Sequence, residues 1–364
     1  MCRRGSKVRK EKTVEAFFAL VRGGLWEQDV QIQPYGEIDF NEILRLAEEQ
    51  AVVGLVTAGL EHVADIKVPK EVLLQFIGQT IQLEQRNTSM NGFIEETIEK
   101  LRKADIYTLL VKGQGIAQCY ERPHWRASGD IDLFLSRDNY DKAKAYFLSH
   151  TDGCKPERQY SKELGLSIDS WFVELHGTQR TGLSTRIDTV VDEVQRDVFY
   201  NGNVRSWQNG KTQVFLPSAD NDIILVFTHL IKHFYKGEGV SLRQVCDLIR
   251  LLWSYRDSIN IRLLESRIKK AGLISEWKAF AYLATNDLGM PVSAMPFYVR
   301  SMKWTRESNK ILEFIISSKN SGRFKSALAD FGIFPINTFL LLPGILLDVT
   351  WLKVKEKLLK PIQE

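Results

Sequence analysis

Two aspartates stand inside a strongly apolar stretch near the middle of the chain, GDIDLFL at residues 129–135. The run from Ile131 to Leu135 is rich in residues that favour strands and predicts a buried β-strand. Residues two apart in a strand share a face, so Asp130 and Asp132 present their carboxylates side by side. Burying two like charges without a counter-charge costs several kcal/mol. The stretch therefore predicts a cation beside these acids.

Helical and strand patterns divide the 364 residues into three regions. Apolar residues recur at spacings of three and four from Val14 to about Ala104, which predicts that the first region, 1–104, is mainly helical. The second region, 105–216, holds short β-rich runs separated by glycines and polar turns. Helices return over 217–364, where Asp220 is a candidate cap for the first of them. We therefore expect a small α/β centre between two helical regions.

The central region supplies the strand candidates. They are YTLLV at 107–111, IDLFL at 131–135, SIDSWFVEL at 167–175 and TQVFL at 212–216. A helical pattern at 138–150 separates the second run from the third. This order of short strands and one intervening helix predicts a small sheet that carries the two aspartates.

Composition and charge narrow the class of protein. Aromatic residues make up 10% of the chain, which excludes a disordered class. The net charge of +4 is mild and argues against long nucleic acid as a partner. Much of that charge lies in a basic cluster within the first dozen residues, for which we expect a solvated, disordered terminus; contact with anionic lipid or nucleic acid is the alternative.

Four cysteines show no paired spacing, and no apolar signal peptide follows Met1, so we expect a cytoplasmic protein. The stretch 331–347 is strongly apolar, but it is short for a membrane span and is interrupted by two prolines. We expect no transmembrane span. A buried packing segment is the favoured interpretation of 331–347, and weak contact with a membrane interface is the alternative.

Two parallel carboxylates suit a hard divalent cation. Mg²⁺ usually binds one or two protein carboxylates together with substrate phosphates, so Asp130 and Asp132 are candidate ligands for a metal-bound nucleotide. An aspartate pair alone is a weak signal, because surface strands carry such pairs by chance. Some glycosyltransferases also use two spaced aspartates in a loop to hold a sugar nucleotide.

A glycine turn precedes the aspartates. The run YTLLV ends in Lys112-Gly113-Gln114-Gly115 and passes into a short helical stretch. A strand that feeds a glycine turn and a helix exposes backbone N–H groups that can hold phosphate, and Lys112 adds a positive charge. The alternative is an ordinary tight turn.

A third acid and a nearby arginine extend the pattern. Glu174 lies in the apolar run WFVELH and is a candidate third carboxylate, which would allow two cations to be held. The alternative is an edge acid that faces water. Arg126 lies four residues before Asp130 and is expected either to pair with the two aspartates or to reach the phosphates of a nucleotide.

Three histidines are candidate accessory residues. His229 and His233 are four residues apart and share a helical face, which could bind a metal. Partners at zinc spacing are missing, so we favour packing histidines with Asp247 as a partner, while a role as base or in acceptor binding stays open. His176 shares a strand face with Glu174 and could orient that acid or contact the substrate.

Taken in order, these motifs resemble a known family. The run LLVKGQGIAQCYERPHWRASGDIDLFL, followed by FVELHG, LPSADNDIILVFTHLIKHF and RQVCDLIRLL, is similar to the uncharacterised bacterial nucleotidyltransferase family of the DNA polymerase β-like superfamily. The similarity covers roughly residues 105–255. It implies an α+β fold in which a small mixed-sheet nucleotidyltransferase core is flanked by helical regions.

The resemblance also implies site residues and a reaction. Mg²⁺, or Mn²⁺ in its place, would be held by Asp130, Asp132 and Glu174. The positions that match the family near the phosphates are Lys112, Gly113 and Arg126. Gln114 departs from the superfamily, which usually has glycine or serine after the first glycine of the turn, but it still offers a backbone N–H and a side-chain amide for nucleotide binding.

The implied reaction moves a nucleoside monophosphate from a nucleoside triphosphate, with ATP expected, to an acceptor hydroxyl and releases pyrophosphate. The acceptor is open among a small molecule, a sugar and a protein hydroxyl. One alternative is a nucleotide-binding sensor or inactive transferase-like module without chemistry. The other is a glycosyltransferase, disfavoured because the first hundred residues predict helices rather than a nucleotide-binding α/β domain.

Overall fold

The structure of the protein is a computed structural model that describes residues 2–151, 153–236 and 239–317, together with residues 333, 334 and 341; the side chains of 2–10 are not described. Four helices come first. They are α1 (Cys2–Trp26), α2 (Phe40–Glu49), α3 (Val53–Glu61) and α4 (Lys70–Lys103). The helix α1 runs through the basic cluster, so the expectation of a disordered N-terminus is wrong for residues 2–12.

Strands and three helices follow. They are β1 (Thr108–Val111), α5 (Gly113–Ala117), β2 (Ile131–Leu135), α6 (Arg137–Leu148), β3 (Gly153–Cys154), β4 (Glu163–Ile168), β5 (Trp171–His176), α7 (Thr185–Phe199), β6 (Val204–Asn209) and β7 (Thr212–Pro217). The last described helices are α8 (Ala219–Lys236), α9 (Leu242–Ser254), α10 (Ile261–Ala271), α11 (Ile274–Tyr282) and α12 (Met302–Ser317).

The strands form a mixed five-stranded sheet in the order β1-β2-β5-β4-β3 and a separate hairpin of β6 with β7. Only β2 and β5 pair in parallel among the strands of the described residues. The structure therefore confirms the α+β class, with a small mixed sheet between helical flanks. Parallel pairing needs a long connection, and here α6 and the β3–β4 strands provide it.

Several local predictions differ from the structure. The run 167–175 is not one strand, because Asp169 adopts a positive φ of 51° and turns the chain between β4 and β5. Asp220 does not cap α8: Asn221 and Asp222 donate their N–H groups to the Ser218 carbonyl instead. The helix α7 and the strand β6 have no counterpart in the sequence prediction.

The strand β2 separates two hydrophobic clusters. Ile131, Leu133 and Leu135 face a cluster that includes Met90 and Ile94 of α4. The alternate residue, Phe134, joins the larger cluster on the other face of the sheet. That larger cluster takes residues from α1 through α12, so all three regions predicted from the sequence contribute to one core. The apolar alternation fixes which face of β2 carries Asp132.

Among the described residues, the helices are too short or too polar to cross a lipid bilayer. Most of the apolar stretch 331–347 lies outside the described residues. Its three described members, Ile333, Phe334 and Leu341, are buried in the large cluster.

The burial of β2 gives a stability prediction. Leu133 is 1% exposed, and its replacement by alanine should lower the free energy of unfolding by about 3 kcal/mol, because a cavity remains in the cluster. Leu74 of α4 is 58% exposed, so Leu74→Ala should change the same quantity by less than about 0.5 kcal/mol. Urea denaturation of both variants measures the difference, and equal losses would contradict the assignment of Leu133 to the core.

Candidate functional site

The sheet brings the predicted acids together through strand register. In the parallel pairing of β2 with β5, Asp132 lies directly opposite Glu174. On the other side of β2, Val111 is opposite Asp132, so Lys112 leaves the sheet next to that aspartate. Asp130 immediately precedes β2. Lys112, Asp132 and Glu174 are distant in sequence, yet they converge on neighbouring strands because backbone hydrogen bonds fix the register of those strands.

The predicted counter-charge is a lysine. Nζ of Lys112 donates to Oδ1 of Asp132 over 2.9 Å. Nε2 of His176 lies 2.7 Å from the same Oδ1 and 3.5 Å from Oε2 of Glu174. Asp132 is only 2% exposed, so these two partners meet the need for compensation that burial of a carboxylate creates.

The carboxylates differ in their titration. The negative charge of Asp132, followed by burial, raises the pKa of Asp130. Burial, followed by the Asp132 charge, raises the pKa of Glu174. Burial opposes ionisation of Asp132 as well, but Lys112 and His176 outweigh it and hold the pKa of Asp132 well below its ordinary value. The site therefore crowds negative charge, and bringing in a cation would relieve this repulsion.

Three ligand atoms lie close enough to share one ion. One atom each from Asp132, Glu174 and His176 falls within 4.8 Å of the other two. Asp130 is outside this group but lines the same cleft. Two members of the predicted triad, Asp132 and Glu174, thus lie together with His176, and the third, Asp130, lines the same cleft.

The acids form the floor of a cleft of about 320 Å³. Its walls come from the ends of β1 and β5, the segment 158–163, and the helices α8 and α9. Besides the acids, the lining is strongly basic. The lysines and arginines in it are Lys112, Arg126, Arg158, Arg180, Lys232 and Arg243. This combination of acids with surrounding cations suits a metal-bound polyanion.

The part of the chain that carries the site matches a known protein family. A family described as uncharacterised nucleotidyltransferase matches residues 36–287, more than half of the chain. The chain belongs to this nucleotidyltransferase family. No curated protein and no solved structure shows significant similarity to the chain. The matched segment extends from α2 to the end of α11 and includes every cleft residue named above.

Arg126 makes a contact that differs from the two predicted from the sequence. It does not pair with Asp130 or Asp132. Its Nε and Nη2 donate to the two carboxylate oxygens of Asp247 on α9, over 2.8 and 2.7 Å. Its Nη1 donates to Ser128 Oγ and to the Ala127 carbonyl. Most donors of Arg126 are therefore committed to holding the segment before β2 against α9.

Gln114 also differs from its predicted role. Its side chain is buried and donates through Nε2 to Oδ1 of Asn87 on α4, over 2.8 Å. Gln114 is not among the residues that line the cleft, and its side-chain amide points to α4 instead. Gly113 does line the cleft. Its φ of 38°, next to a φ of 56° at Lys112, produces the sharp turn between β1 and α5.

The histidines of α8 lie across the cleft from the acids. Nε2 of His229 is 2.9 Å from Nε2 of His233, so one imidazole donates to the other. Burial, and then the charge of Lys112, lower the pKa of His229 well below its ordinary value. The expected partner Asp247 binds Arg126 and the hydroxyl of Tyr120 instead. An uncharged His229 therefore faces the cleft.

The sequence prediction omits Arg243, a cation of the cleft that has a buried N–H group without a partner among the described residues. Among the described residues, Nη1 of Arg243 donates to the Ala127 carbonyl over 3.1 Å, and its buried Nε has no partner. Burial, and then the charge of Arg126, lower its pKa. Such a guanidinium favours an incoming anion. Its one signal in the sequence is the spacing of four from Asp247, which places both residues on one face of α9.

Three further cations of the cleft are also absent from the sequence prediction, and each already has an acidic partner. Arg158 Nη1 lies 2.9 Å from Glu163 Oε1, and Lys232 Nζ lies 3.8 Å from Glu163 Oε2. Arg180 binds Asp192 through two nitrogens. Gln179 adds a buried Nε2 without a partner among the described residues.

The buried Arg126–Asp247 pair gives a pH prediction. Asp247→Asn leaves Arg126 without its counter-charge and should lower the free energy of unfolding by about 3 kcal/mol at neutral pH. Burial raises the pKa of Asp247, but Arg126 outweighs it, so the folded-state pKa lies below the unfolded value of about 3.9. The stabilisation that ionised Asp247 gives to the folded state is therefore complete above the unfolded-state pKa. It disappears as the pH falls through the folded-state pKa.

Urea denaturation at about pH 7 and about pH 3 checks this. The difference in the free energy of unfolding between the parent and Asp247→Asn should shrink on acidification. Asp257→Asn is the control, because the Asp257 side chain is 89% exposed and should show no comparable loss at either pH. A difference that grows with acid would contradict the proposed pairing.

Proposed function

We propose that this chain transfers a nucleoside monophosphate from a nucleoside triphosphate, with ATP as the first candidate, to the hydroxyl of an acceptor and releases pyrophosphate. The observation that supports this best is the direct opposition of Asp132 and Glu174 on parallel strands, with Asp130 beside them at the cleft floor. Membership of the nucleotidyltransferase family points the same way. We further propose that the core belongs to the DNA polymerase β-like superfamily.

The donor atoms fit divalent cations. Asp130 and Asp132 would hold Mg²⁺ bound to the nucleotide, and Asp132 with Glu174 would hold a second ion. When bound, the ions offset charge on the phosphates and lower the pKa of the acceptor hydroxyl. The fit rests on the repulsion among the acids, which raises the pKa of Asp130 and favours a cation there.

Basic residues would position the triphosphate. Lys112 lies at the cleft floor beside Asp132, and Arg243 presents an unsatisfied N–H from α9. Arg243 and Asp130 line the same cleft, and the charge of Arg243 acts to lower the pKa of Asp130, so we assign both cations to the phosphates on that side of the cleft. Arg126 acts through Asp247 and holds the Asp130 segment in place. Positioning and electrostatics supply most of the acceleration in phosphoryl transfer.

The acceptor would enter on the Glu174 side. Its hydroxyl oxygen forms a bond to the α-phosphorus, the bond from that phosphorus to the pyrophosphate oxygen breaks, and the hydroxyl proton passes to Glu174. Burial raises the pKa of Glu174, which makes it a better proton acceptor than an exposed glutamate. A small molecule, a sugar or a protein hydroxyl remains the proposed class of acceptor.

A nucleotide sensor without chemistry is the second candidate. Lys112 and His176 already contact the central carboxylate, which is the arrangement expected of a site that needs no metal. A glycosyltransferase is less well supported, because Asp132 lies inside the strand β2 rather than in a loop.

Pyrophosphate release tests the proposal. Incubation with each of the four nucleoside triphosphates, Mg²⁺ or Mn²⁺, and pools of sugars, metabolites and proteins should release pyrophosphate with at least one acceptor. Asp132→Asn should reduce the rate about a thousandfold, because about 4 kcal/mol of charge stabilisation is lost. Asp141→Asn, at an exposed acid of α6, is the matched control and should retain the parent rate.

Isothermal titration with ATP and Mg²⁺ separates the two candidates. Binding without pyrophosphate release from any acceptor pool would favour the sensor. Full activity in Asp132→Asn would contradict the assignment of the acids as the catalytic site.

The role of Arg243 gives a separate prediction. Arg243→Gln should weaken ATP binding about tenfold or more, because a charge-assisted hydrogen bond to a phosphate contributes about 1.5–3 kcal/mol. Arg256→Gln removes an exposed arginine just beyond α9 and should leave the Kd for ATP unchanged. Equal affinities of the two variants, measured by titration calorimetry, would remove Arg243 from the phosphate site.

A further inference from the structure

His176 lies where a third metal ligand would be. Its Nε2 is 2.7 Å from Asp132 Oδ1 and 3.5 Å from Glu174 Oε2. Ligands that share an ion at about 2.1 Å in octahedral geometry are about 3.0 Å apart when adjacent and about 4.2 Å apart when opposite. One ligand atom from each of the three residues falls within 4.8 Å of the others, so these atoms need only small shifts to share one ion.

The direction of the ring is set by the fold. His176 ends β5, two residues after Glu174, so both side chains leave the same face of the strand. The imidazole is 4% exposed, which leaves it little freedom to turn away. When Nε2 carries a proton it donates to Asp132; with the proton on Nδ1, Nε2 presents a lone pair along the same direction. The nitrogen is therefore aimed between the two carboxylates in either tautomer.

We propose that His176 is a direct ligand of the second ion, together with Asp132 and Glu174, and that this position selects a first-row divalent transition metal over Mg²⁺. This inference rests on the proposed function for the presence of two ions. A set of one imidazole and two carboxylates suits such ions, whereas Mg²⁺ prefers oxygen ligands alone. The Asp130–Asp132 position offers only carboxylates and suits Mg²⁺. The two positions are therefore chemically unlike.

The histidines of α8 serve as the internal comparison. His229 and His233 contact each other on α8 and line the same cleft. Neither belongs to the group of three ligand atoms found among the described residues. Their replacement should leave the second ion's ligands in place. His176→Gln is the matched change at the site, because glutamine can still donate a hydrogen bond to Asp132 but removes the imidazole nitrogen.

Electron spin echo spectroscopy of Mn²⁺ tests the ligand directly. Mn²⁺ is added below one equivalent to the full chain without nucleotide, and the echo is examined for modulation by ¹⁴N. We expect such modulation, its replacement by a ¹⁵N pattern when only the histidines are ¹⁵N-labelled, and its persistence in about tenfold excess Mg²⁺. Because the labelling needs no substitution, this result does not depend on the folding of any variant.

Variants then assign the nitrogen. His176→Gln should abolish the ¹⁴N modulation and raise the Kd for Mn²⁺ about tenfold or more. The double variant His229→Gln/His233→Gln should keep both the modulation and the parent Kd. Absence of bound Mn²⁺, absence of ¹⁴N modulation in the parent, or its retention in His176→Gln would overturn the proposal.

The outcomes separate this inference from the proposed function. Missing ¹⁴N modulation together with normal pyrophosphate release removes His176 from the ligand set and leaves the transferase intact. Modulation from His176 together with no pyrophosphate release supports the ligand set and contradicts the transferase.

Discussion

A buried carboxylate controls the architecture of this site. Asp132 lies in β2, an interior strand of the sheet, and is 2% exposed, so its charge must be compensated where the strand places it. Lys112 and His176 provide that compensation from the two neighbouring strands, one on each side of β2. The end of β1 and the end of β5 are therefore tied to the same oxygen atom.

The parallel pairing of β2 with β5 explains why the acids meet, and also how far the sequence could predict them. The bounds of β2 and the apolar face of Ile131, Leu133 and Leu135 follow from local alternation, and both are confirmed. The turn at Asp169 was not predictable in this way, because neither glycine nor proline marks it and an aspartate adopts the positive φ. The partner of each strand depends on long-range packing that period-two patterns do not encode.

The same limit explains why two side-chain contacts were predicted wrongly from the sequence. Arg126 is four residues from Asp130 in sequence, yet it binds Asp247, which lies 121 residues away. Gln114 directly follows Gly113, yet its amide turns to Asn87 on α4. In each case the donor finds a buried acceptor on a packed helix, and a buried polar group without such a partner would be costly. Sequence spacing predicts which residues are near the site, whereas helix packing decides which of them face it.

The helical flanks are consequently part of the site. Asn87 of α4 donates to the carbonyls of His124 and Arg126, and Asp247 of α9 holds the Arg126 guanidinium, so the segment before β2 is clamped from two sides. That clamp fixes the backbone from which Asp130 projects. The helix α9 that supplies Asp247 also supplies Arg243, the cation whose buried Nε has no partner among the described residues. The helix α9 thus positions Asp130, which would hold the metal, through the clamp, and it positions Arg243, which would hold the phosphates, directly. The place of the metal and the place of the phosphates are therefore coupled, as an in-line transfer needs.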